Sequence, residues 1–171
     1  AGLRSRLEEM GYKLTDSELN QAFKAFKDLA DRKREITNAD LESLMSSQRR
    51  TSDVPNLYTL SSVKVTSGND STPTATVTID NPEGSSIIES SVGTGPVDAV
   101  YKAIDKVVQV DNELLEYRVE AVTEGIDAIG DVSIRISKDN TIYVGRGSDT
   151  DIIVASAKAY MNAINRVLAF N

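Results

Sequence analysis

AVYKAIDKV (residues 99–107) and AYMNAINRV (residues 159–167) decide how this chain is organised. Ala99, Ala103, Ile104 and Val107 meet Ala159, Ala163, Ile164 and Val167 at one constant offset of 60 positions, and Asp105-Lys106 meets Asn165-Arg166. The apolar residues recur at helical spacing, so each segment reads as a helix with one core-facing side. Each also follows three strand-like stretches and a glycine-containing loop. The pattern is therefore βββα, twice. Repeats of this kind pack together to complete one core. The fold class expected is α+β: two βββα repeats with antiparallel sheets backed by two helices, preceded by a small helical linker subdomain.

Working outward, the strands show period two. Tyr58, Leu60, Val63 and Val65 lie on a first strand, with room for a bulge, and Gly68-Asn69-Asp70 turns it. Ala75, Val77 and Ile79 alternate with threonines, the mark of a half-buried strand. Asn81-Pro82-Glu83-Gly84 turns again before a third strand at 85–92 and a helix at 96–109. The second unit places strands near 114–123, 129–137 and 141–146 and a helix near 150–169. Six strands leave open edges and faces, which a second copy of the chain would bury.

Ahead of the repeats, residues 3–48 read as helical. Leu3, Leu7 and Met10 share a face and Gly11 ends that helix. Thr15 and Glu18 form a capping-box pattern before an apolar stripe of Leu19, Ala22, Phe23, Phe26, Leu29 and Ala30. Thr37 opens a third helix with Asp40 in its first turn and Leu41 and Leu44 on one side. The polar stretch 46–56, with Pro55, marks a boundary. The expected division is a helical linker subdomain at 1–50 and a βββα-repeat domain at 51–171.

Composition narrows the function. The net charge is -7 and the chain has no His, Cys or Trp. An acidic field opposes phosphate contacts, so nucleic acid is not the expected partner. Arg32-Lys33-Arg34 complements a helix C-terminus. Without His, histidine-based triads, general bases and metal ligands are excluded. No apolar run approaches the ~20 residues that span a bilayer. A cytoplasmic location without membrane attachment fits, and no cofactor or metal is expected in the chain.

Three loops could carry a ligand. Gly93-Thr94-Gly95-Pro96-Val97-Asp98 opens the first repeat helix. Its glycines allow close backbone approach, Pro96 suits the first turn, and the helix amides could hold a carboxylate. An ordinary helix start looks the same. Gly125-Ile126-Asp127-Ala128-Ile129-Gly130 reads as a hairpin, or as a ligand loop whose Asp127 faces an ammonium group. Gly145-Arg146-Gly147-Ser148-Asp149-Thr150-Asp151 opens the last helix, with Asp149 or Thr150 as a cap.

GTGPVDAVYKAI, EYRVEAVTEGIDAIGDVSI and SDTDIIVASAKAYMNAIN, in this order, resemble the regulatory domain of the 2-isopropylmalate synthase family. The N-terminal LRSRLEEMGYKLTDSELNQAFKAFKDLADRKREITNADLESL resembles that family's helical linker. Citramalate synthases share the architecture. The resemblance implies a homodimer that binds the pathway's end-product amino acid, leucine or isoleucine, and inhibits a distant catalytic barrel. That barrel uses a divalent metal held by a His-x-His motif, which this chain lacks, so no catalytic residue is expected here. By matching segments, the ligand's charged end should meet the backbone of Gly93, Thr94, Gly95, Val97 and Asp98. Its side chain should meet Leu114, Tyr117, Ala121 and Ala128, with Ser148 and Thr150 closing the site. On a regular strand Tyr117 and Ala121 share a face that Leu114 reaches only through a bulge. The small Ala121 leaves room for a chain branched at Cγ, which ranks leucine above isoleucine.

Overall fold

The computed structural model describes residues 2–47, 53–121 and 128–170. The order is α1 (Gly2–Glu9), α2 (Asp16–Arg32), α3 (Asn38–Ser47), β1 (Thr59–Gly68), β2 (Ser71–Asp80), β3 (Ser86–Val92), α4 (Pro96–Val108), β4 (Glu113–Ala121), β5 (Gly130–Lys138), β6 (Thr141–Asp149) and α5 (Ile152–Phe170). Two antiparallel sheets, β1-β2-β3 and β4-β5-β6, each run into a helix, as the repeat requires. The helix starts, Pro96 and Ile152, sit one helical turn out of step with the 60-position identity. A one-turn shift nearly restores the helix face, so the apolar side is kept.

One core joins the repeats. Ala75, Val77 and Ile79 of β2 and Val132, Ile134 and Ile136 of β5 face Ala99, Ala103 and Ile104 of α4 and Ala159, Ala163 and Ile164 of α5. Because α5 packs on β5, β6, α4 and β1, it is buried on most of its surface. Asn165 fixes the entry to β1, donating to the Tyr58 carbonyl and accepting from its amide, both at 2.9 Å. Tyr101 and Tyr160 stack between the two helices with centroids 4.5 Å apart.

Two boundaries differ from expectation. β6 continues to Asp149 because Gly145 and Gly147 are strand residues, not loop. A Cβ on either would fall within 3.0 Å of the α5 backbone at Ala159 or Ala155. The missing side chains let helix and strand approach closely. The cap of α5 is Asp151, not Asp149 or Thr150: its carboxylate accepts from the amides of Ile153 (2.8 Å) and Val154 (3.4 Å), while Asp149 accepts from the Asp151 amide.

The first three helices form a second cluster: Leu3, Leu7, Ala22, Leu41, Leu44 and Met45 close over Tyr12 and Val144. The Thr15–Glu18 capping box is complete. Thr37 and Asp40 make the same reciprocal pair at the start of α3. Within the stripe of α2, Ala22 is buried but Phe23 is 43% exposed and Ala30 is exposed, since α2 packs mainly against α1 and α3. Gly11, at φ +94°, directs the chain so that Tyr12 bridges in parallel to Ile142 on the edge of β6. The helices thus cover part of the sheet face opposite α5. Arg135 on that face reaches Tyr12 (3.0 Å), Glu42 (3.2 Å) and Glu116 (3.1 Å).

Candidate functional site

α4 starts from the Gly93–Asp98 loop without a side-chain cap, for its N-cap is Gly95 and its first residue Pro96 has no amide hydrogen. The Asp98 carboxylate turns back to accept from the Thr94 amide at 2.9 Å and pairs with Lys102 at 3.0 Å. Those donors, the Thr94 amide first, hold its pKa below the ordinary aspartate value. The two glycines differ in kind. A Cβ on Gly93 would meet the Ala99 backbone and the Asp98 carboxylate within 3.0 Å, so the fold itself requires that glycine. Gly95 has an extended backbone (φ -153°) and open space where a side chain would be. Nothing inside the chain asks for glycine there.

Beyond α5 lies the uncovered face of β4. A register shift between Leu114 and Glu116 makes the bulge that brings Leu114 onto the face of Tyr117: Leu114 stands opposite Ile136, and Tyr117 opposite Ile134. α5 covers Ile134 and Ile136 but stops short of β4, which leaves Leu114 45%, Tyr117 38% and Val119 46% exposed. The Tyr117 hydroxyl shares a 2.5 Å hydrogen bond with Ser156 Oγ on α5, and the Ser156 carbonyl accepts from Tyr101 on α4 at 2.9 Å. Further along, Tyr160 donates to Asp105 and accepts from Asn112 at 2.9 Å. Burial pushes both Tyr101 and Tyr160 above the ordinary phenol range, so these hydroxyls stay protonated donors. A polar seam therefore runs between α4, α5 and β4, with an apolar strand face beside it.

The model of the LeuA allosteric (dimerisation) domain family matches residues 35–168. The chain belongs to this family. Among curated relatives, 2-isopropylmalate synthase of Picosynechococcus sp. (strain ATCC 27264 / PCC 7002 / PR-6) is 52% identical over 166 residues, covering 97% of this chain and 31% of the relative. The 2-isopropylmalate synthase of Microcystis aeruginosa is 53% identical over 164 residues, 96% of this chain and 30% of the relative. That of Prochlorococcus marinus (strain MIT 9312) is 53% identical over 172 residues, 98% of this chain and 31% of the relative. The chain spans about a third or less of the length of these relatives.

Within this chain the expected site residues fall into three groups. Gly93, Thr94, Gly95, Val97 and Asp98 lie together on the loop and first turn of α4. Leu114 and Tyr117 share the open face of β4, and Ala121 ends that strand opposite Gly130. Ala128 is half-buried just before β5, while Asp127 lies outside the described residues. Ser148 points to the other sheet face, where it pairs in register with Asp131 and donates to its carboxylate at 2.5 Å. Thr150 is exposed beside the α5 cap. α4 and β4 share no extensive packing within one chain, and Ser156 links them through its carbonyl, which accepts from Tyr101, and its hydroxyl, which meets Tyr117.

Sequence reasoning missed two features of this chain. Ser156 lay inside a recognised segment but reads as a small helix residue. A cleft of about 310 Å3 opens beside Pro96, walled by Val63 and Val65 of β1 and Ile153 and Val154 of α5. The alternation of Val63 and Val65 was legible; their meeting with the α5 start was not. Among the described residues, no cluster of three potential metal-binding side chains occurs. No described helix is long and apolar enough to cross a membrane.

Proposed function

We propose that this chain is the effector-sensing, dimer-forming regulatory domain of a 2-isopropylmalate synthase, and that its effector is leucine, bound for feedback inhibition of the synthase's catalytic barrel. The observation that carries the site is Gly95: a glycine at a helix start, with open space around it and no conformational need for it, suits close approach by something outside the chain. The uncapped first turn of α4 offers backbone amides and the positive end of a helix dipole to a carboxylate. Asp98 meets the ligand through its backbone, its carboxylate being engaged with Thr94 and Lys102, and Asp127 is the candidate to face the ligand's ammonium group.

Leu114 and Tyr117 offer an apolar wall for the branched side chain. Their exposure supports completion of the site by a second copy of the chain, whose surface would cover β4. Leucine is preferred over isoleucine because Ala121 is small: leucine branches at Cγ and reaches deeper, whereas isoleucine needs width nearer its charged end. Ser148 and Thr150 act from the rim of the site, since the Ser148 hydroxyl is engaged with Asp131.

Titration calorimetry with leucine, isoleucine and valine tests this reading. Leucine should bind most tightly, and at about 100 times its dissociation constant it should stabilise the fold by ~2.7 kcal/mol. A preference for isoleucine would move the assignment to citramalate synthase. No heat with any of the three would leave a dimerisation module without an effector.

A further inference from the structure

α5 touches both the candidate site and the helical segment. In its first half, the fully buried Ser156 receives Tyr101 from α4 at its carbonyl and Tyr117 from β4 at its hydroxyl. Ten residues on, about 15 Å along the helix axis, Arg166 is buried as well. Its guanidinium holds both carboxylate oxygens of Glu18, the bond to Oε2 measuring 2.6 Å, and its Nε donates to the Val144 carbonyl at 2.8 Å. Glu18 in turn accepts from the Thr15 amide at 3.0 Å, closing the cap of α2. One carboxylate therefore serves both the start of α2 and the second half of α5.

Such a pair has no soft intermediate. Both side chains are 2% exposed, so separating them would leave two buried charges without water. α2 has to follow Arg166. Nor can α5 slide freely over its own sheet, because Gly145 and Gly147 seat it against the β6 backbone. We propose that α5 is the coupling element of this domain: occupancy of the site beside Ser156 is felt at α1–α3 through the Glu18–Arg166 pair. The inference rests on the effector reading above and adds the route by which binding leaves the site.

Hydrogen exchange of the α2 amides, followed with and without saturating L-leucine, tests it on the whole chain. In the wild type, leucine should slow α2 exchange by at least about fivefold, the lower end of ordinary coupling between sites. The comparison is the double variant Glu18→Gln, Arg166→Met. Gln keeps the capping interaction, and Met fills the volume without a charge. It should still bind leucine by calorimetry, while α2 exchange changes less than about twofold. Should it melt below the assay temperature, the double variant Glu18→Gln, Arg166→Leu carries the same expectation, since it too leaves no charge buried alone. A wild type that binds leucine with unchanged α2 exchange, or a folded variant whose α2 still responds, would overturn the coupling and leave the effector reading standing. A wild type that takes up no leucine removes both.

Discussion

Gly93 lies so close to Ala99 that a Cβ on it would press into the Ala99 backbone, whereas Gly95, two residues on, faces open space. The two glycines of one short loop thus answer to different constraints, one inside the fold and one outside it. Gly93→Ala should destabilise the chain by ~1–3 kcal/mol, the usual cost of overpacking. Gly95→Asp should leave the melting temperature unchanged and abolish leucine binding, because its carboxylate would repel the ligand's own. Thermal melts and calorimetry on both variants check the pair. Unchanged leucine affinity in Gly95→Asp would remove the loop from the site.

Glu18→Ala should be among the most damaging single changes in the helical segment. It strands the Arg166 guanidinium in a buried position and opens the cap of α2. Breaking one partner of a buried pair costs ~3–5 kcal/mol. Urea unfolding of Glu18→Ala measures this. A loss near that of an exposed pair, under ~1 kcal/mol, would mean that Arg166 finds other partners.

Asp98 should titrate below ordinary aspartates, because the Thr94 amide and then Lys102 favour its charged form. A lowered folded-state pKa contributes stability above the unfolded value and loses it as pH falls through the folded one. The loop is therefore expected to stay ordered through the usual aspartate range and to loosen only at lower pH. The carboxyl shift of Asp98 and the amide shift of Thr94, followed together by NMR, should show one shared low midpoint. Separate midpoints would break the link.

Val119→Asp places a charge on the uncovered face of β4, where Val119 is 46% exposed. In a single chain such a surface change should alter stability by no more than ~0.5 kcal/mol. In a dimer covering that face it should favour the monomer. Sedimentation of wild type and variant decides it; a variant that remains fully dimeric puts the interface elsewhere.

Ala121→Ile tests selectivity. The expected result is a leucine affinity at least about tenfold weaker, or ~1.4 kcal/mol, with a smaller effect on isoleucine. Lower stability with an unchanged leucine-to-isoleucine ratio would show that Ala121 belongs to the core rather than the pocket.

Local pattern determined much of this protein. The Thr15–Glu18 cap, the alternation of Ala75, Val77 and Ile79, and the requirement for a bulge to turn Leu114 toward Tyr117 are all relations between residues a few positions apart, and backbone geometry enforces those directly, while the βββα repeat is legible because the same local pattern returns 60 positions on. Tertiary structure decided what such spacing cannot encode. Gly145 and Gly147 read as loop residues until α5 lies against them. Ser148, in a promising loop, turns to Asp131 on the far face because strand register sends alternate side chains to opposite sides. Lys106 and Arg166 are matched by the 60-position offset of the sequence repeat. Yet Lys106 reaches a strand carbonyl from an exposed position, while Arg166 is buried against a carboxylate 148 residues away. The sequence supplies a cation at both positions. Only packing determines which of them loses its water, and a cation without water must find a buried counter-charge.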